Sequence, residues 1–153
     1  MSRASERGFT LLEMVCVLAL IAMMAAVLLP YIPRNTSRAR LQGYVLQTAA
    51  LLKEDRNAAI RRGTGVATLV DAGSHTIRSG SSADMVRIPD DVHFETLLPR
   101  TCNQHAVLSA ISFFASGMSC GGTVALTRAD VGYEVRVNWL TGRVEIVSRN
   151  ITN

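Results

Sequence analysis

The chain has 153 residues, 48% of them apolar, and a formal charge of +4 from 16 Lys and Arg against 12 Asp and Glu. That apolar content excludes a disordered tail, and the length excludes a large multidomain enzyme. Sixteen apolar residues run unbroken from Met14 to Leu29. The remainder has an ordinary soluble composition, so a multipass membrane protein is excluded as well.

Three readings compete for the first 35 residues. A secretory signal peptide would explain Arg3, Arg7 and the apolar stretch, but Glu13 interrupts its start and no A-x-A cleavage site follows. A plain membrane anchor would explain its length, because residues 9–32 as a helix reach about 36 Å against a hydrocarbon core of about 30 Å. The third reading accounts for more residues. Gly8-Phe9-Thr10-Leu11-Leu12-Glu13 is a small-residue break followed by an apolar helix with one acid near its start. It resembles the class III leader of type IV pilins and type II secretion pseudopilins. The resemblance implies a cut between Gly8 and Phe9 by a membrane peptidase and methylation of the new Phe9 terminus. It gives Glu13 the place of the family's intramembrane glutamate and Pro30 that of its helix-kinking proline. An intramembrane acid is a functional-site candidate on physical grounds too, because a carboxylate at mid-bilayer costs about 2.5–3.5 kcal/mol. Arg3 and Arg7 precede the run while Arg34, Arg38 and Arg40 follow it, so charge leaves the orientation open. The cytoplasmic N-terminus comes from the resemblance alone. The second Arg group suits lipid headgroups.

Leu41, Tyr44, Val45, Thr48, Leu52 and Ala59 recur at helical spacing, which predicts a second helical stretch from about Ser37 to Arg62, stopped by Gly63 and Gly65. Asp55 and Arg56 blur the end of that stripe. Joined to the first segment, this makes one long helix bent near Pro30. Beyond Gly63 the period changes to two. Strands are predicted at 65–70 and 75–79 around the turn Asp71-Ala72-Gly73, and at 85–89 and 92–97 as a second hairpin around Asp90-Asp91. A longer strand covers 106–115, and three more cover 123–128, 133–138 and 143–148.

The pattern Ile111-x-Phe113, Gly117, Gly121-Gly122-x-Val124-x-Leu126, Tyr133-x-Val135-x-Val137 and Thr141-Gly142-Arg143-Val144 resembles the GspH/FimT-type minor pilin domain. Ala58 to Gly63 and Ile88 to Val92 also fit it, whereas Met118 stands where the family more often has a small polar residue. The fold class so implied is α+β and type IV pilin-like. A long N-terminal helix, membrane-spanning in its first half, packs on a C-terminal antiparallel β-sheet or sandwich. The expected organisation is a cleaved leader at 1–8, a transmembrane and fibre-core helix at 9–32, its amphipathic continuation at 33–63 and a periplasmic β domain at 64–153. The resemblance thus places Cys102 and Cys120 in an oxidising compartment, where a disulfide between them is expected. Closing it requires the chain to turn back after Ala115, because bridged Cα atoms lie within about 7 Å.

Other chemistry is weak. Gly117-Met118-Ser119-Cys120-Gly121 spells G-x-S-x-G, but a β-prone segment follows where a hydrolase elbow needs a helix. Cys102, His105 and Cys120 lack a fourth zinc ligand. Asp90-Asp91 fits a turn better than a calcium site. No catalytic residue, metal or cofactor is expected. The resemblance implies a minor pseudopilin of type II secretion, a structural subunit at or near the tip of a short periplasmic fibre that helps export folded proteins. Its expected partners are major and minor pseudopilins, the prepilin peptidase, the inner-membrane assembly platform and secreted cargo. Glu13 is expected to pair with the amino terminus of a neighbouring subunit. The alternative is a minor pilin of a type IV pilus, of the FimT or FimU kind, some of whose relatives bind DNA. Only Arg128, Arg136, Arg143 and Arg149 suggest a basic strip for that, and nucleic acid is not an expected partner.

Overall fold

A computed structural model of the protein describes residues 10–28, 35–107 and 109–150. It divides into two compact units, residues 1–35 and 36–153. The first contains helix α1, Leu11–Leu28. Thr10 starts it: its carbonyl accepts from Glu13 N at 3.0 Å and from Met14 N at 3.3 Å, and its Oγ1 accepts from Glu13 N at 3.3 Å. Every described side chain of α1 is exposed. Among the described residues no helix is long and apolar enough to cross a membrane. Eighteen residues of α1 measure about 27 Å. The expected 9–32 segment extends past the described residues at both ends.

The second unit contains helix α2, Arg38–Arg62. Of the continuation expected over 33–63, the described residues are helical from 38 to 62. Asn35 to Ser37 are not helical, and Ser37 is an N-cap with φ −73° and ψ 162° whose hydroxyl accepts from Arg40 N. A hydroxyl that satisfies an orphan N–H defines a new helix start. Gly63 ends α2 at φ +63°, returning its N–H to the Ala59 and Ile60 carbonyls.

Among the described residues ten strands follow: β1 Val66–Asp71, β2 Thr76–Arg78, β3 Met85–Arg87, β4 His93–Leu97, β5 Thr101–Cys102, β6 His105–Ala106, β7 Ala110–Phe113, β8 Gly122–Arg128, β9 Val131–Val137 and β10 Val144–Asn150. They form two four-stranded antiparallel sheets, in the orders β3-β2-β1-β7 and β10-β9-β8-β4, and a small β5-β6 ribbon. Leu41, Val45, Leu52 and Ala59 of α2 are buried in one core with Val70, Ile77, Ile111 and Phe113 of the first sheet. Val124, Leu126, Val135 and Val144 of the second complete it. The alternating burial of β1 follows from its period of two.

Two strand expectations need correction. Residues 85–89 and 92–97 are not a hairpin: β3 pairs with β2 and β4 with β8, in different sheets. The Pro89–Val92 turn, closed by Val92 N to Pro89 O at 3.0 Å, carries the chain from one sheet to the other. The strand expected at 106–115 is also divided. Ser109 has φ +55°, in the left-handed region, and separates β6 from β7. By contrast, β1 and β2 do join across the 71–73 turn. Asp71 holds it by accepting from Gly73 N at 2.9 Å and from the Ser74 hydroxyl at 2.7 Å.

Candidate assembly sites

Gly8, Phe9 and Pro30 lie outside the described residues. Glu13 lies in the first turn of α1 with its side chain exposed. Residues one turn on from it, Cys16 and Val17, are exposed too, and Cys16 is a free thiol. Glu13 is therefore a lone acid at the start of an apolar cylinder, three residues from the threonine that caps it. A threonine cap with glutamate at its third following position is a helix-start pattern in its own right. The acid thus fits this position on local grounds before any role in assembly.

In the second unit, Asp91 ties down the entry to α2. It accepts from Thr36 N at 2.7 Å, from the Thr36 hydroxyl at 2.8 Å and from Arg128 Nε at 3.0 Å. The Thr36 N–H foremost, then its hydroxyl, and Arg128 more weakly hold the Asp91 carboxyl below the usual carboxylate range. Both Asp91 oxygens thus meet protein donors, which gives this half of Asp90-Asp91 a structural use without calcium. Thr36 is itself buried.

Asp55 is fully buried on the inner face of α2. Burial pushes its pKa up, but hydrogen bonds outweigh that and leave it lowered. The hydroxyls of Ser79, Ser81 and Thr68 each donate at 2.6 Å, and the Gly80 and Ser81 N–H groups donate at 3.0 and 3.1 Å. The carboxylate thereby fastens α2 to β1 and to the loop after β2. Sequence reasoning missed it, although a signal was present. Asp55 continues the spacing of 41, 45, 48 and 52 toward 59, and the hydroxyl-rich stretch 79–82 supplies the donors a buried acid requires.

Arg56, the next residue, binds two turns. Its Nε donates to the Gly117 carbonyl at 3.0 Å and Nη2 to the Thr141 carbonyl at 3.0 Å. Gly117 has φ +83°, and a Cβ at Gly142 would overlap the Gly117 carbonyl oxygen. The two glycines allow the turns to meet around the guanidinium. The Gly117 turn, with Met118 in place, closes through Phe114 N to Met118 O at 2.9 Å and Gly117 N to Phe114 O at 2.8 Å.

That turn reverses the chain after Ala115. Cys120 N then reaches the Ser112 carbonyl at 3.0 Å, and Cys120 is joined to Cys102 by a disulfide with Cα atoms 5.7 Å apart. Neither cysteine retains a thiol for a metal. Ser119 of the G-x-S-x-G run is buried, and its Oγ accepts from Gly121 N at 3.0 Å. It shapes a turn.

The four C-terminal arginines do not form an uncompensated strip. Arg128 pairs with Asp91 at 3.0 Å, Arg136 with Glu134 at 2.6 Å and Arg143 with Glu145 at 3.1 Å. Arg149 lies 3.7 Å from Glu95 and 3.6 Å from Glu134. An acid beside each cation leaves little net field for a phosphate backbone.

Comparison with known proteins gives concordant results. A model of the prokaryotic N-terminal methylation motif matches residues 3–29. The type II secretion system protein H of Xanthomonas campestris pv. campestris is 32% identical over 144 residues, 93% of this chain and 83% of that protein. The minor pseudopilin EpsH from the type 2 secretion system of Vibrio cholerae matches in structure with a TM-score of 0.50 at 11% identity, covering 74% of this chain and 98% of that one. The type IV minor pilin FimU of Pseudomonas aeruginosa matches with a TM-score of 0.52 at 18% identity, covering 73% and 91%. The two structures share the fold and do not separate the two kinds of fibre. The near-full-length sequence relation does, and with the methylation motif it places the chain in the family of type II secretion system protein H, a family of minor pseudopilins.

Proposed function

We propose that this chain is the minor pseudopilin H of a type II secretion system, a structural and non-catalytic subunit at or near the tip of the pseudopilus. The observation that carries the reading is the 32% identity to a type II secretion protein H over 93% of the chain. Helix α1, apolar and exposed at every described side chain, supports it, since such a helix requires lipid or other helices around it. In this reading residues 1–8 are removed by the prepilin peptidase, Phe9 is methylated, and residues 9–32 anchor the subunit in the inner membrane by a single pass. The β domain faces the periplasm, where the Cys102–Cys120 disulfide is stable. The platform then lifts the subunit among the other pseudopilins, and export of folded cargo follows. The paired arginines favour this role over a DNA-uptake pilin.

Glu13 supplies the assembly chemistry. In lipid, near the helix start, its carboxylate reaches the interface. Among fibre helices it is surrounded by apolar side chains, and the methylated amine of Phe9 on an adjacent subunit neutralises it. The test is a chromosomal deletion complemented by wild type or Glu13→Ala, read by exoprotein export and co-purification with tagged pseudopilins. Loss of export on deletion, with Glu13→Ala processed and membrane-bound but poorly incorporated, is the expected result. Normal export without the gene overturns the secretion role. Normal incorporation of Glu13→Ala overturns only the pairing. Mass spectrometry of the processed chain is expected to show methylated Phe9 at its terminus.

A further inference from the structure

β10 forms one edge of its sheet. The Arg143 carbonyl accepts from Asn138 N at 2.9 Å, and Val144 lies opposite Val137. By the alternation of an antiparallel ladder, residues 145, 147 and 149 turn their backbone groups toward β9. Val144, Ile146, Ser148 and Asn150 turn theirs outward, and among the described residues no other strand pairs with them. A seven-residue edge of this kind is a template for another strand.

The side chains specify which strand fits. Glu145, Val147 and Arg149 share the face that carries Arg136 and Glu134. Place a second β10 antiparallel about a two-fold at Val147. Glu145 of each copy then lies opposite Arg149 of the other, and the two Val147 side chains meet between these pairs. The outward-turned Ile146 and Ser148 form the hydrogen-bonded pairs, as the parity requires. Shifted registers either oppose like charges or, as when centred on 148, lose both Glu145–Arg149 pairs. Centring on 145 stacks Glu145 on itself, centring on 149 stacks Arg149 on itself, and centring on 146 sets Arg143 against Arg149. Opposite charges across strands stabilise and like charges directly opposed destabilise. Pairing across the seam exchanges existing contacts: Arg149 leaves Glu95 and Glu134, which lie 3.7 and 3.6 Å away and beyond hydrogen-bond distance, and Glu145 leaves Arg143 in a pair that is exposed and weak.

We propose that β10 is a homotypic docking strand, which a second copy of this chain pairs in the antiparallel register centred on Val147. The interface is isologous, with residue 145 contacting 149 and 149 contacting 145. The proposal stands apart from the fibre role. A chain that fails to pair yet supports export would overturn the pairing alone.

The experiment is site-directed cross-linking of the full-length protein in its own membranes, with Cys16→Ala to remove the free thiol. At the centre of the seam a non-hydrogen-bonded pair has Cα atoms about 4.5 Å apart, inside the range for a disulfide. Val147→Cys is expected to give a linked dimer under mild oxidation, while Glu145→Cys and Arg149→Cys, each far from its own copy, give little. Adding Glu145→Arg to Val147→Cys should lower linking by about tenfold, and adding Arg149→Glu as well should restore it, since the two charge pairs are only exchanged. Equal linking at all three positions, absence of a dimer at 147, linkage at 147 to a different protein, or indifference to the charge reversals would each overturn the proposal.

Discussion

α1 and α2 are both helices of several turns, with opposite relations to their apolar surface. α1 is apolar around its whole circumference and exposed at every described side chain. α2 confines its buried positions to one stripe, and the chain that follows supplies the two sheets covering it. A helix whose partner is encoded in the same chain is recognisable by its stripe. A helix without one must find lipid or other helices, so its sequence specifies an environment rather than a contact. Substitutions in α2 should therefore act on folding, and substitutions in α1 on association.

The sharpest test of this contrast is Asp55→Ala. It leaves three hydroxyls and two N–H groups without their acceptor, and a loss of about 3–5 kcal/mol is expected from broken buried networks of charged hydrogen bonds. Urea unfolding followed by circular dichroism measures it, and a loss below about 1 kcal/mol would put the α2 attachment in the apolar stripe alone. Next is the Cys102→Ser, Cys120→Ser double variant. With a sequence separation of 18, the loop-entropy relation gives about 3 kcal/mol, read as the difference in unfolding between oxidised wild type and variant. Arg56→Ala should cost less, about 1–2 kcal/mol, because its two carbonyl partners can turn to water. Hydrogen exchange should rise at the Gly117 and Thr141 turns in particular. Acid gives a signed test. The folded pKa of Asp55 lies below the ordinary 3.8, so the unfolded chain binds more protons in that window. Its contribution is complete above the unfolded value and is lost as pH falls from there through the folded one. Asp55→Asn should flatten that limb of the stability curve, and Asp91→Asn should do so more weakly. The smallest effect expected is for Leu20→Ala in α1, within about 0.5 kcal/mol of wild type in the unfolding of residues 36–153. The same variant is expected to weaken co-purification with other pseudopilins.

Much of the β domain is legible wherever one rule governs a segment. Strands read at 123–128, 133–138 and 143–148 start or end within a few residues of β8, β9 and β10, because alternation and glycine turns set them. Pairing is less legible. Nothing local in residues 85–97 shows that the turn at Pro89 crosses between sheets, since that depends on which strand edges remain vacant. The division of the 106–115 run is hidden for a similar reason: Ser109 takes a left-handed conformation that its residue type does not announce. Asp55 and Arg56 are misread because a stripe analysis treats a polar residue as noise, whereas here the carboxylate ties the helix to β1 and the loop after β2, and the guanidinium ties it to two turns. The N-terminal motif is the reverse case. Gly8 to Glu13 falls inside the methylation motif matched over residues 3–29, a linear pattern, so sequence alone carries most of its meaning.

The ties between Thr36, Asp91 and Arg128 have a mechanical consequence. In the proposed function the subunit is drawn by its N-terminal helix, and a pull of that kind enters the second unit at its first residue, Thr36. The first folded residue to bear that load is Thr36, whose backbone N–H and hydroxyl both grip Asp91. Asp91 passes it to Arg128 at the end of β8, beside the β8–β9 turn. Tension thus enters the sheet through side-chain bonds in parallel with the first turn of α2, and the helix is not the sole member under strain. In that reading, a carboxylate that reads as a turn residue becomes the point where a pull on the chain would meet the sheet.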